Sequence, residues 1–226
     1  HRDLHLSLRR QRQMCIRDSI GTGSTAIQII PQVAKQAKHL HIFQRTANYS
    51  LPARNGPLAE EKRSIHKKKY RELRKQAYST PFGIAGYPPP EKGAFEATPK
   101  EREAKYHQKW DEGGTISYLF SYNDLLLSEK SNETASDFVR ERIREIVKDP
   151  ETAELLCPND HPIGTKRICL DSGYYETFNR DNVSLVDVRS APIEEITPFG
   201  LRTAREEFEL DSIIFATGFD AMTGAI

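Results

Sequence analysis

Ile20-Gly21-Thr22-Gly23-Ser24-Thr25-Ala26, then an amphipathic stretch from Ile27 to Lys38 and an apolar run from Leu40 to Phe43, decides the fold. The first seven residues fit the Gly-x-Gly-x-x-Gly/Ala turn that joins a strand to a helix. Gly21 permits the tight turn, Gly23 lets a pyrophosphate approach the backbone, and Ala26 keeps the helix close to the sheet. The free N–H groups at the helix start, with the helix dipole, suit an anionic ligand. The run Leu40 to Phe43 reads as the second strand of a βαβ unit. The fold expected is α/β, with a Rossmann-like dinucleotide-binding domain.

That second strand ends in Gln44-Arg45-Thr46. An NAD site usually places an acidic residue here to bind the ribose 2′-hydroxyl. An Arg suits a 2′-phosphate, because its planar guanidinium can hold phosphate oxygens bidentately. The cofactor expected is therefore NADPH.

Upstream, the pattern breaks. The fingerprint needs an apolar strand before Gly21, yet Arg17-Asp18-Ser19 precedes Ile20. Residues 1–19 are Arg-rich without sustained alternation. They read as a non-native leader from a gene-model artefact, with a basic binding arm or a divergent native strand as the alternatives. On the first reading the true first strand is missing.

Downstream, residues 57–156 change character. Leu58 to Tyr78 is charged and helix-prone, and its run Lys67-Lys68-Lys69 suits a solvated helix face. Pro81 to Pro90 reads as a loop, and Pro99 to Asp111 as a helix holding the only tryptophan, Trp110. Thr134 and Asp137 form a possible capping box ahead of the stripe Phe138, Val139, Ile143, Ile146 and Val147. Strand patterns return after Cys157: Ser184 to Arg189, Ile193 to Ile196, a hairpin arm from Leu201 to Leu210, and a buried strand Ile213-Ile214-Phe215. The expected organisation is a dinucleotide domain in two parts, 20–56 and 157–215, interrupted by a mostly helical insertion.

Bulk properties exclude several classes. The 226 residues suffice for one large or two small domains. A formal net charge of +1, with mixed signs, does not point to nucleic acid or an anionic membrane. No run is long enough to span a bilayer. Cys15, Cys157 and Cys169 have no zinc spacing and no paired framework, and a cytoplasmic location is expected.

A second constellation is Pro162-Ile163-Gly164-Thr165-Lys166-Arg167. Two adjacent cations after a Pro/Gly loop should diverge, one toward a phosphate and one toward a reacting centre; the alternative is a pair of surface cations. With Gly173-Tyr174-Tyr175, Phe178-Asn179-Arg180-Asp181-Asn182-Val183, Phe43-Gln44-Arg45-Thr46-Ala47-Asn48-Tyr49 and Ala216-Thr217-Gly218-Phe219-Asp220, the set closely resembles flavin-dependent Baeyer–Villiger monooxygenases of the cyclohexanone and phenylacetone type. The likeness runs from about residue 20 to residue 226, with the motifs in family order.

That resemblance implies a two-dinucleotide flavoprotein that uses NADPH, FAD and O₂ to insert one oxygen atom beside a ketone carbonyl. Carried over by position, Gly21, Gly23, Ser24 and Thr25 would hold the pyrophosphate. Arg45, Thr46 and Lys166 would hold the 2′-phosphate, and Arg167 would be the catalytic arginine. Ala216, Thr217 and Gly218 would mark the return, over 216–226, toward an FAD domain. No metal is implied, and the partners implied are a small ketone and O₂, without nucleic acid or membrane. The family's FAD fingerprint, its linker motif and the acidic partner expected for Arg167 are not found in this sequence. A fragment, inactive alone, is therefore expected. A related flavin N- or S-monooxygenase, an NADPH reductase, and a non-catalytic nucleotide-binding module remain as alternatives. His161 is assigned no role.

Overall fold

The computed structural model describes residues 16–80 and 83–218, with only the backbone of 16–18. The leader before residue 16 and the tail from residue 219 lie outside the described residues. The described residues divide into two compact units: residues 16–51 with 136–218, and residues within 52–135.

The first unit is built on a four-stranded parallel sheet in the order β5-β2-β1-β9. Its strands are β1 (Ile16–Ile20), β2 (His39–Gln44), β5 (Val183–Asp187) and β9 (Ser212–Phe215). Helix α1 (Ser24–Val33) makes the crossover from β1 to β2 and buries Ala26, Ile27, Ile30 and Pro31. Leu40, Ile42 and Phe43 of β2 are buried. Phe43 stacks edge-on against Phe208, with ring centroids 5.1 Å apart. Phe208 belongs to an antiparallel three-stranded sheet of β6 (Ile193–Thr197), β7 (Gly200–Thr203) and β8 (Glu207–Glu209). A short pair, β3 (Ser50–Pro52) with β4 (Cys169–Asp171), holds the loop around Lys166 near the start of α1. Gly173-Tyr174-Tyr175 opens the short helix α8 (Tyr174–Thr177), and both tyrosines are buried.

The sequence expectation for the first strand is corrected here. Ile16–Ile20 is β1, paired in parallel with β2 on one side and β9 on the other. The polar Arg17-Asp18-Ser19 does not prevent this, because ladder bonds use main-chain groups that every non-proline residue carries. The cost shows at Ser19, which is buried with its hydroxyl unpartnered. β9 is also corrected: Ile213 and Ile214 are half-buried and Phe215 is exposed, since β9 borders the sheet of described strands.

The second unit is helical. Helices α2 (Glu60–Lys68) and α3 (Tyr70–Tyr78) bury no residue, as a solvated charged face should. Helix α4 (Pro99–Glu112) starts at a capping box, with Thr98 Oγ1 accepting the Glu101 N–H, and buries Tyr106 and Trp110. A short α5 (Thr115–Leu119) follows. Helix α6 (Glu129–Ile146) begins well before the capping box read at Thr134. Thr134 instead turns its hydroxyl back to the Ser131 carbonyl at 2.7 Å, and Ser128 accepts the Ser131 N–H at 3.3 Å. The C-terminal half of α6 falls in the first unit, as does α7 (Pro150–Leu156), which Asp149 caps. No helix among the described residues is long and apolar enough to cross a membrane.

Candidate functional site

The carboxyl ends of β1, β2 and β9 meet at the Gly21–Ala26 turn. The ladder continues into it: the Gly21 N–H reaches the Phe43 carbonyl at 2.9 Å, and the Ala216 N–H reaches the Ile20 carbonyl at 2.9 Å. Gly21 sits at φ +105°, and a Cβ there would lie 2.6 Å from the Ala216 oxygen. Only glycine fits both demands. Thr22 is buried and donates its hydroxyl to the Thr46 carbonyl at 3.0 Å, tying the turn to the end of β2.

Gly23 has nothing within 4 Å of a would-be Cβ, so the turn opens onto free space. Helix α1 has no side-chain cap and no acidic residue in its first turn. Its first N–H groups therefore have no intrahelical or side-chain acceptor, and its positive end is uncompensated. That geometry fits a pyrophosphate.

A cleft of about 690 Å³ opens there. Every residue nominated from the sequence lines it: Gly21, Gly23, Ser24 and Thr25 of the turn; Arg45 and Thr46 after β2; Lys166 and Arg167 from the second constellation; and Ala216, Thr217 and Gly218 after β9. Arg45, Lys166 and Arg167 are exposed, so their charges stay in contact with water and with any ligand.

Asn48 and Cys169 also matter, and sequence reasoning gave neither a site role. The Asn48 side-chain amide donates to the Arg167 carbonyl at 3.3 Å and toward the Cys169 sulfur at 3.2 Å. The same sulfur lies 3.4 Å from the Ser24 hydroxyl. Asn48 lines the cleft, and its side-chain oxygen is buried without a hydrogen-bond partner. Their only sequence signal was position, Asn48 within the motif after β2 and Cys169 two residues past Arg167.

A smaller cavity of about 250 Å³ lies against Gln44, Arg45, Thr46, Asp160 and Arg189. Arg189 donates to the Thr46 hydroxyl at 3.3 Å. Asp160 faces Arg189 at 3.5 Å and Lys166 at 3.9 Å, and its other oxygen meets His161 Nδ1 at 2.5 Å. The His161 contact and the Lys166 charge hold the Asp160 carboxyl below the usual carboxylate range. Arg189 sits two residues past β5, where no motif marked it.

Away from the cleft, burial pushes the Asp171 carboxyl up to about 6, although it accepts the Tyr174 N–H. Burial raises Tyr174 and Tyr175 far above ordinary phenols. Neither is a base at neutral pH. Cys157 is buried, and that burial pushes its thiol up to about 11, so it stays neutral at neutral pH. No group of three or more metal-ligating side chains is found among the described residues.

No protein-family model matches the sequence. Individual relatives do. The chain is 45% identical over 207 residues to a 2-oxo-Δ3-4,5,5-trimethylcyclopentenylacetyl-CoA monooxygenase of Pseudomonas putida, covering 92% of this chain and 38% of that protein. It is 42% identical to a Baeyer–Villiger monooxygenase of Pseudooceanicola batsensis, covering 91% and 37%. It is also 42% identical to a cyclohexanone 1,2-monooxygenase of an Acinetobacter species, covering 91% and 38%. The solved structure of OTEMO in complex with FAD and NADP superposes with a TM-score of 0.90 at 44% identity, covering 94% of this chain and 39% of that one. The chain thus spans less than two fifths of the length of the relatives it matches. The α/β reading and the resemblance drawn from the motifs are borne out.

Proposed function

We propose that this chain is the NADP(H)-binding segment of a Baeyer–Villiger monooxygenase. Such an enzyme uses NADPH, FAD and O₂ to convert a small ketone into an ester or lactone. One observation carries the reading: the glycine turn, the basic end of β2, the Lys166-Arg167 pair and the 216–218 segment, far apart in sequence, line a single cleft. Relatives bearing the monooxygenase name supply the reaction class.

On this reading Gly21, Gly23, Ser24 and Thr25 hold the pyrophosphate against the start of α1. Arg45, Thr46 and Lys166 hold the 2′-phosphate. Ala216, Thr217 and Gly218 close the nicotinamide end. When bound, NADPH supplies hydride and FAD supplies the chemistry that activates O₂. The one glycine turn among the described residues is assigned to NADP(H), so FAD is assigned to the length of the relatives that this chain does not match. Arg167 is the catalytic residue. Its permanent guanidinium charge stabilises the oxyanion that develops on the attacked ketone, and it needs no proton transfer to do so. The Asn48 amide fixes the Arg167 main chain, and the Arg167 residue is exposed to the solvent. A cytoplasmic location and the absence of a nucleic-acid partner belong to the same proposal.

The test is a chimera in which residues 20–218 replace the matching segment of the cyclohexanone 1,2-monooxygenase. Ester formation from cyclic ketones with NADPH supports the reading. Oxidation confined to amines or sulfides overturns the Baeyer–Villiger assignment. A chimera that folds and takes up FAD but does not oxidise NADPH overturns the cofactor assignment.

A further inference from the structure

Asp160 stands out because it places a carboxylate among the cations of the phosphate site. Its Oδ1 is pinned by His161 Nδ1 at 2.5 Å, and the His161 side chain is 8% exposed and packs edge-on to Tyr49. Its Oδ2 is turned toward Lys166 at 3.9 Å and Arg189 at 3.5 Å. Arg189 also reaches Thr46, and Thr46 and Lys166 line the main cleft. The other acids at the smaller cavity are already engaged. Glu154 is held by Arg144, and Asp187 accepts the Arg189 main-chain N–H. Asp160 is thus an anion fixed on one side and loosely paired on the other.

Ion pairs of this length between exposed side chains are weak and screened. A phosphate dianion arriving at Arg45 and Thr46 can take Lys166 and Arg189 from Asp160, but it must displace a charge of its own sign. NAD(H), with a 2′-hydroxyl, meets no such competition. We propose that Asp160 is an internal counter-anion that competes with the 2′-phosphate for Lys166 and Arg189 and so limits the preference for NADP(H) over NAD(H). The proposal rests on the dinucleotide reading above.

Calorimetric titration of the 226-residue chain with NADP⁺ and NAD⁺ tests it, using wild type and Asp160→Asn. Asn keeps the size and can still accept from His161. The NADP⁺ dissociation constant is expected to fall about three- to tenfold at low ionic strength, with that for NAD⁺ unchanged, and the gain should shrink at high salt. In an Asp160→Asn, Lys166→Ala double variant the gain should be reduced, since one freed cation is gone. Unchanged or weaker NADP⁺ binding in Asp160→Asn, or an equal gain for both dinucleotides, overturns the inference while leaving the proposed function in place. A wild-type chain that binds neither dinucleotide overturns both.

Discussion

The Ala216 carbonyl oxygen lies 2.6 Å from the point where a Cβ on Gly21 would sit. The residue just after the last sheet strand therefore dictates the residue at the first turn, and φ of +105° at Gly21 adds a second demand. Gly21→Ala should destabilise the chain by about 1–3 kcal/mol through strained backbone, with more from the clash. Denaturant unfolding of the two forms measures it. A midpoint equal to wild type would show that the turn has room to shift.

β1 gives the next test. Its main chain pairs on both sides, so amides across Arg17–Ile20 should exchange slowly, at the protection of a central strand. Hydrogen exchange read by mass spectrometry or NMR decides the matter. Rapid exchange there would show that the segment does not serve as the central strand.

Arg45→Ala should weaken NADPH far more than NADH. Losing one charge-assisted phosphate contact costs about 1.5–3 kcal/mol. Dissociation constants for both cofactors provide the check, and equal losses would show that Arg45 does not read the 2′-phosphate.

Arg167→Ala, made in the chimera, should still bind NADPH and oxidise it but lose ester formation by about a hundredfold or more. Arg167→Lys should rescue only part, because an ammonium lacks the guanidinium fork. Product analysis beside NADPH consumption separates the two steps. Ester formation near wild type in Arg167→Ala would make Arg167 a surface cation.

Asp171 and His41 should leave opposite marks on stability. Burial raises Asp171 to about 6 from 3.8, so the folded state holds a proton the unfolded state has lost. Its penalty is absent below about pH 3.8, grows as pH rises, and is complete above about 6. Burial, with His39 nearby, lowers His41 to about 4 from 6.5, so stability falls as pH drops across that window. The two contributions act in opposite directions over overlapping pH windows. Asp171→Asn should be more stable at pH 7, by about 1–3 kcal/mol, and should lose that gain toward pH 4. Urea midpoints at pH 4, 5.5 and 7 show it, and a variant that tracks wild type at every pH refutes it.

The βαβ core was legible because its signals are local. Glycine spacing, a 3.6-residue apolar stripe and a basic strand end all sit within about one unit's length. β1 was misread because an apolar strand was demanded where the ladder requires only main-chain groups. The start of α6 was misplaced because Thr134 carries capping chemistry but lies inside a helix already begun near Ser128. Arg189 and Asn48 were passed over because each acts across a long sequence separation, Arg189 on Thr46 and Asn48 on Arg167, and Asp160 was passed over because it lies outside every motif although Lys166 is only six residues on. No single-sequence pattern records such pairs.

The pairing of Arg17 with Ser212 carries a kinetic consequence. The border strand β9 joins β1 only when the two extremes of the described chain meet, with residues 52–135 lying between them in the sequence. Closing so large a loop comes at an entropic disadvantage before its contacts repay it, and topologies dominated by such pairings fold slowly. On the ribosome β1 and β2 must wait, with one edge of β1 open, until β9 emerges. That interval is when the chain is most exposed to pairing with a second copy of itself.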